Sequence, residues 1–393
     1  MAFEFDYIIS PYSTEEFFLN YFEKAPLAIK RNSSRYYSDI LTLDDINVHL
    51  NEADIIYPNI RIVKNGDQVD EADFTYSSVA YKNNATEGIA NKDKVFFYFQ
   101  NGYTIILNAL ERHKIKLLNL RHVTEKAFNT KAQINIYLTP VNSQGFTPHW
   151  DTHDVFILQI GGSKAWKIYE SPVYLPSRKQ IFKNDWEKTE PILSVILEEG
   201  DLIYVPRGFI HEATATDQYS LHITLGVITN SYGNFLRVAL EEIEDDPFFR
   251  RSMPAEINEE DLSSFRAYIH KYISEIDLEK VRSTVQSRFV SSRLPDVTDR
   301  LKDYFKIGSV TEKTVFSKRK SLYYDFHVNV SRVKLRFSNK SMKFPLFTLD
   351  DIKFILAAEE FQISDMNGRL HSDSKILLCK KLLEEGFLTV IDN

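Results

Sequence analysis

Cysteine is almost missing from this sequence: Cys379 stands alone among 393 residues. One thiol can neither close an intramolecular disulfide nor supply a cysteine-based metal cluster, and a long chain without disulfides fits a reducing compartment. Cys379 lies in the apolar pattern Ile376-Leu-Leu-Cys-Lys-Lys-Leu-Leu383, where a small core residue is expected rather than a nucleophile. The opening Met1-Ala-Phe-Glu-Phe-Asp-Tyr7 has no basic segment followed by an apolar run, so no signal peptide is expected. No apolar stretch approaches the ~18 residues that a membrane span needs, which makes the cytoplasm the expected location and a membrane partner unexpected. Positive charge is also short. Lys and Arg number 48 against 55 Asp and Glu, and the net charge of −7 argues against attraction of the whole chain to nucleic acid while leaving room for a local basic patch. Internal repeats and low-complexity linkers are absent.

What is present is apolar and aromatic. Hydrophobic residues make up 43% and aromatics 13% of the chain, as in a well-packed globular protein, and the length predicts two or three domains. Ser13-Thr-Glu-Glu16 has capping-box spacing ahead of Phe17 and Phe18 and predicts a helix start, as does Thr42-Leu-Asp-Asp45. Residues 94–100 read as a buried strand, and from Thr104 to about Phe128 the apolar residues fall at helical spacing. The character then turns to β. Strands are expected at Gln133–Leu138, Val155–Ile160, Ala165–Tyr169, Val195–Leu197, Leu202–Val205 and Tyr219–Val227, and so many strands with short Gly and Pro turns imply a barrel or sandwich. From Ser231 to about Phe305 the pattern is helical, with nine Asp/Glu and two Arg over 241–261. Residues 313–343 invert this, carrying nine Lys/Arg and the single acid Asp325. A tail of helix, helix and strand after Thr348 suggests a winged-helix-like module.

The stretch Thr147-Pro-His-Trp-Asp-Thr-His-Asp154 concentrates candidate metal ligands. Two His and one carboxylate on one face of an octahedron make the usual Fe(II) site and leave three positions open. His149 and Asp151, two apart, point to the same side of an extended segment. The distant partner is His211: Gly200-Asp201 makes a turn, Leu202 to Val205 a strand, and Pro206-Arg-Gly208 a tight loop that delivers it. His153 shares the parity of His149 and Asp151 and is the rival ligand. A linear 149-151-153 set, however, is too spread for a facial site and leaves the delivery of His211 without purpose. Asp154, of opposite parity, reads as a turn or surface carboxylate. A lone His is most often a satisfied core or surface residue; the pair with a distant His is much harder to explain that way.

Gln133-Ile-Asn-Ile-Tyr-Leu-Thr-Pro140 through His149-Trp-Asp151, followed by Val155-Phe-Ile-Leu-Gln-Ile-Gly-Gly-Ser-Lys-Ala-Trp-Lys167, resembles the JmjC-type cupin oxygenases of the ribosomal oxygenase group. The likeness extends to the N-terminal region from Pro11 to Lys30 and to the order of parts. It implies an α+β chain with a double-stranded β-helix (cupin or jelly-roll) JmjC core over 1–230, a helical dimerisation region over 231–305 and a C-terminal winged helix over 306–393. It further implies an Fe(II)- and 2-oxoglutarate-dependent dioxygenase that hydroxylates a side chain, in known members a His or Arg of a ribosomal protein. O₂ is the second cosubstrate. Carried over by position, His149, Asp151 and His211 hold the metal, while Lys164, with Asn135 and Tyr137, holds the distal carboxylate of 2-oxoglutarate. The residues themselves agree: a buried dicarboxylate needs a cation, and Asn135 and Tyr137 share a parity that can face into a barrel. Ordinary core hydrogen bonding is the plainer account of those two, and a solvated strand end that of Lys164. His222 and Thr224 are candidates behind the ligands. Trp150 stands between the ligands where Tyr or Phe is common in the family, and residues 171–194 carry no motif selective for His or Arg.

Three rivals remain open. A metal-binding cupin sensor without oxygenase activity has no need of a dicarboxylate clamp. An oxygenase acting on a ribosomally made natural-product peptide shares the same site. The basic stretch 313–343 invites a nucleic-acid reader, but a solvated sheet face, or a contact to the acidic stretch of a second copy, explains it more simply. A homodimer is expected because the acidic helical stretch is too long for a mere linker.

Overall fold

The computed structural model describes residues 4–391 except 53, 77, 78, 82, 83, 184, 185, 294, 296 and 321, and the side chains of 79–86 are also outside the description. The first three residues of the N-terminal segment therefore lie outside the described residues. Two compact units emerge, Met1–Thr229 and Asn230–Asn393.

Strand alternation builds the first unit. Nine strands form one antiparallel sheet: β1 (Leu27–Ile29), β2 (Ile60–Lys64), β3 (Asp67–Gln68), β4 (Thr104–Asn108), β5 (Lys131–Thr139), β6 (Asp154–Ile168), β7 (Leu193–Leu197), β8 (Leu202–Val205) and β9 (His211–Ile228). The order is β1-β8-β6-β9-β5-β4-β2-β3, with β7 also paired to β6. On β5, Ala132, Ile134, Ile136 and Leu138 face the main core together with Phe156 and Leu158 of β6. The N-terminal helices supply Phe5, Phe17, Leu117 and Leu120 to that same core. The opposite face of the sheet is left to line a cavity, as a period of two requires. The helix Thr14–Asn20 begins in the reciprocal Ser13–Glu16 capping box, and Thr42 and Asp45 exchange the same pair of bonds ahead of Leu43–Glu52.

Two expectations fail here. Residues 94–100 lie in a helix, Lys92–Gln100, capped by the Asn91 side chain, with only Val95 buried and Phe97 59% exposed. A run of four aromatics carries no period of its own, and the cap decides. The helical reading from Thr104 is also wrong at its start: Thr104–Asn108 is strand β4, whose Thr-Ile-Ile run favours extended backbone, and the helix begins only at Ile115.

In the second unit the helices Tyr232–Ala239, Glu259–Glu275, Leu278–Ser291 and Arg300–Lys306 precede six strands. These are β10 (Val315–Lys318), β11 (Tyr324–Val328), β12 (Arg332–Phe337), β13 (Lys340–Pro345), β14 (Glu360–Gln362) and β15 (Leu388–Val390). They make two sheets, β14-β10-β15 and β11-β12-β13. The tail differs from helix, helix, strand: β14 separates the helices Leu349–Ala357 and Ser372–Glu385. Cys379 is fully buried in this unit's core, and burial pushes its thiol up to about 12. Part of the basic stretch is consumed by the fold. Lys318 donates to the carbonyls of Ile355, Leu356 and Ala358, Arg319 pairs with Asp303, Arg336 with Asp325 and Lys340 with Glu385.

Candidate metal centre

The ligand atoms of His149, Asp151 and His211 lie within 4.8 Å of one another. Backbone pairing puts them there. His149 and His211 exchange main-chain hydrogen bonds of 3.2 and 2.8 Å, and the Gly208 N–H donates to the Asp151 carbonyl at 3.0 Å. The Pro206–Gly208 loop thus clasps the 149–151 segment before delivering His211. Gly208 has φ +90°, and a Cβ there would sit 2.5 Å from the Val173 carbonyl oxygen, so the turn needs glycine. At the base of β8, Asp201 is fully buried and anchors the preceding turn. It accepts from the Arg31 and Glu198 amides at 2.6 and 2.8 Å and pairs with Lys30 at 2.5 Å.

Both imidazoles are oriented alike. Nδ1 of His149 lies 2.8 Å from the Thr147 carbonyl and Nδ1 of His211 lies 3.1 Å from that of Phe209. An Nδ1–H donated to a carbonyl leaves the Nε2 lone pair free, the arrangement that prepares histidine for a metal. His211 Nε2 stands 3.8 Å from Asp151 Oδ2. Burial, reinforced by His149, lowers His211 to about 4, so it is a neutral donor at physiological pH. Burial alone would raise the Asp151 carboxyl, but the imidazoles of His153, His211 and His149 outweigh it and hold the carboxyl below its ordinary value. Two neutral nitrogens and one carboxylate fit a divalent ion with open positions. His153 stays outside this group: its Nε2 lies 3.4 Å from Gln133 Nε2, and its ring packs where a Cβ on Gly226 would fall 2.7 Å from it.

Asp154 is not the turn or surface carboxylate that its parity suggested. It is fully buried at the start of β6. Tyr204 donates to Oδ1 at 2.6 Å, Oδ2 has no partner, and burial pushes the carboxyl up to about 6. Tyr204 also accepts from the Glu23 amide at 3.0 Å, and Arg207 donates to Glu23 at 2.5 Å.

Behind the triad a cavity is lined by Thr104, Tyr137, Val155, Ile157, Lys164, Trp166, His222 and Thr224, among others. Val155 and Ile157 are odd-numbered while Lys164 and Trp166 are even, yet all face inward. The switch comes from irregular pairing of β6 with β9: His222 pairs with Gln159 but Leu221 with Gly161, and four residues of β9 between Ala215 and Ser220 oppose a single residue of β6. An extra residue in one strand flips the faces beyond it. Gly162 sits in this kink with φ +61°, and a Cβ on it would fall 1.8 Å from the Tyr219 carbonyl oxygen.

Lys164 is 4% exposed. Its Nζ donates to Thr139 Oγ1 at 3.3 Å, Thr104 donates to the same hydroxyl at 3.1 Å, and among the described residues no carboxylate pairs with it. Burial lowers its ammonium to about 7. His222 stacks on Tyr137 with centroids 4.9 Å apart and planes 4° apart. Burial, then Lys164, drives His222 well below its usual value, and burial pushes Tyr137 up to about 12. Of the three residues expected to hold a dicarboxylate, Lys164 and Tyr137 line the cavity. Asn135, half-buried two residues before Tyr137 on β5, is not among the lining residues. Thr104, Thr139 and Trp166 were not singled out from sequence. The β-branched start of β4 was a usable signal for Thr104, whereas Trp166 needed the kink at Gly162.

Residues 112–235 match the JmjC domain family model. Ribosomal oxygenase 1 of Gallus gallus is 32% identical over 260 residues, covering 64% of this chain and 42% of that protein. The bifunctional lysine-specific demethylase and histidyl-hydroxylase NO66 of Aedes aegypti is 28% identical over 317 residues, 74% of this chain and 48% of that protein. The chain thus spans less than half the length of these curated relatives. Among solved structures, YcfD, a ribosomal oxygenase from Escherichia coli in complex with cobalt and 2-oxoglutarate, aligns with a TM-score of 0.56 at 15% identity, over 97% of this chain and 99% of that one. At that identity the likeness is one of fold.

Proposed function

We propose, on the match of residues 112–235 to the JmjC domain family model, that this protein is an Fe(II)- and 2-oxoglutarate-dependent oxygenase that hydroxylates a side chain of a protein or peptide. The observation that carries the reading is Lys164: a buried lysine with no carboxylate partner among the described residues, in the same cavity as His149, Asp151 and His211. A sensor that merely binds metal does not need such a residue, and an unpaired buried ammonium is costly to maintain for packing alone.

In this reading His149, Asp151 and His211 hold the metal through two Nε2 atoms and a carboxylate oxygen. Lys164 receives the distal carboxylate of 2-oxoglutarate, with Tyr137 beside it and Asn135 assisting from the same strand. Val155, Ile157 and Trp166 form the dry wall that excludes water. When bound, Fe(II) with 2-oxoglutarate and O₂ supplies an oxidation in which one oxygen atom enters the substrate and the other leaves in succinate as CO₂ is lost. The chain's task is binding, orientation and exclusion of water. The names of the relatives support a ribosomal protein as substrate and histidine, ahead of arginine, as the hydroxylated residue. The helices of 231–305 are proposed as a homodimer surface, 306–393 as a winged-helix-like module, and the cytoplasm as location.

Succinate release measured against added Fe(II), 2-oxoglutarate and ribosomal proteins tests the activity. Mass spectrometry for the gain of one oxygen atom locates the target. Turnover that requires all three components is expected; Fe(II) binding without succinate, with any substrate offered, would leave the sensor in possession.

A further inference from the structure

The cavity contains polar atoms that the assignments above leave unused. The indole Nε1 of Trp166 and Nδ1 of His222 are both buried without a hydrogen-bond partner, in side chains whose residues are 6% and 2% exposed. A buried N–H left unpaired is uncommon and costs free energy, so each requires an explanation. His222 has one within the protein: Gln159 stands opposite it in the strand register, and its buried Oε1 is also unpaired. Trp166 has no such neighbour in the register, because its paired residues across the sheet are Val195 and Ala213.

Position supplies the missing acceptor. Lys164 Nζ lies 5.8 Å from the centroid of the Trp166 ring, and both residues face the cavity from consecutive inward positions of β6. A carboxylate takes hydrogen bonds of about 2.8 Å from cationic or N–H donors and has two oxygens to share, so one carboxylate group can be held by the ammonium and the indole together. Resting on the oxygenase reading, we propose that Trp166 is a cosubstrate-binding residue whose indole N–H donates to the same distal carboxylate that Lys164 neutralises. The clamp is then half charged and half neutral. Lys164 supplies charge, and the rigid indole fixes where that charge is received, so that a 2-oxo acid without the distal carboxylate is disfavoured by the unpaired N–H as well as by the unpaired ammonium.

The test compares Trp166→Phe with the parent protein, both loaded with Zn(II) as an inert stand-in, by calorimetry against 2-oxoglutarate and against 2-oxobutyrate, which keeps the chelating end and lacks the distal carboxylate. The variant is expected to bind 2-oxoglutarate about tenfold more weakly with 2-oxobutyrate and Zn(II) affinity unchanged. Equal affinity for 2-oxoglutarate overturns the assignment, and so does an equal loss for both acids, which would make Trp166 a packing residue. Should the parent protein itself fail to bind 2-oxoglutarate, the oxygenase reading falls and takes this one with it, a result distinct from either of those. If Trp166→Phe does not fold, the intact protein still decides. Its three tryptophans give three indole N–H resonances, and that of Trp166, assigned by elimination with Trp150→Phe and Trp186→Phe, is expected to move downfield as 2-oxoglutarate is added. A resonance that stays in place refutes the hydrogen bond.

Discussion

Two buried cations divide the molecule's chemistry between them. Lys164 in the first unit is 4% exposed and Arg319 in the second 6%. Around Arg319 the fold supplies the counter-charge: Asp303 pairs with it, the Thr298 carbonyl accepts from it, and Asp303 is itself satisfied by the Thr389 hydroxyl at 3.0 Å and the Val390 amide at 3.1 Å. Around Lys164 there is a hydroxyl at 3.3 Å and an indole ring. A cation inside a protein needs a counter-charge. Where the chain supplies it the residue serves the fold, and where the described residues withhold it the group either gives up its proton or takes a counter-charge from outside. That asymmetry separates the site from the scaffold more sharply than burial does.

The largest expected effect breaks the structural pair. Arg319→Met leaves Asp303 buried without its cation, and chemical denaturation of the variant is expected to show a loss of about 3–5 kcal/mol from the second unit. A change under about 1 kcal/mol would mean that the Asp303 charge is already met by Thr389 and Val390. The same substitution at the other cation has the opposite signature. Lys164→Met removes a charge that no carboxylate among the described residues pairs with, so the melting temperature is expected to hold or rise while, under the proposed function, 2-oxoglutarate-dependent succinate release falls at least about a hundredfold. A destabilised Lys164→Met protein would show instead that Lys164 is built into the fold as Arg319 is.

A smaller effect follows from the Lys164 ammonium, which burial lowers to about 7. Under the proposed function its charged form is the one that would receive a dicarboxylate, so a bound anion would raise the pKa again. The sign is fixed. Above about pH 7 the free protein has lost this proton and must take one up on binding. Affinity for 2-oxoglutarate is therefore expected to fall as pH rises, by up to about tenfold per unit. Calorimetry of the metal-loaded protein in buffers of different ionisation enthalpy reads the proton uptake directly. No uptake near pH 8 would place the ammonium of the free protein well above about 7.

How much of this was legible beforehand depends on what carried it. His149, Asp151 and His211 were readable because two local patterns, an alternating H-x-D and a Pro-x-Gly loop, have a mechanical purpose that survives without coordinates. Lys164 and Tyr137 came from resemblance and reach the cavity. Asn135 shares the parity of Tyr137 and stands opposite the lining residue Thr224 in the register, though parity names a face and not a depth. Trp166 was beyond reach, since its inward direction depends on the shifted register at Gly162. The aromatic run at 94–100 misled because so short an apolar stretch fits a strand or a helix equally, and the Asn91 cap outweighed it. Asp154 misleads differently: opposite parity points to solvent, but this end of β6 has a packed core on both sides.

Asp154 also sharpens the comparison from the side of the anions, with the smallest effect. Asp303 is buried with a cation. Asp154 is buried with a phenol donating to one oxygen and, among the described residues, no close hydrogen-bond partner for the other, and burial pushes its carboxyl up to about 6 against roughly 3.9 in an unfolded chain. With the folded value raised, the native state holds the proton longer than the unfolded state does. Stability is therefore full below about pH 4 and declines as pH rises to about 6; the two-unit gap is worth about 3 kcal/mol on this scale, part of which an asparagine here would lose to its own unpaired amide. Asp154→Asn keeps an acceptor for Tyr204 without any charge to bury. It is expected to be more stable than the parent by about 1 kcal/mol at pH 8 and equal or weaker at pH 4, measured as urea midpoints across that range. If the variant is instead weaker at pH 8, the ionised carboxylate is being held by the charge and backbone amide of Arg207, and Asp154 belongs with Asp303 among the paired charges of the scaffold.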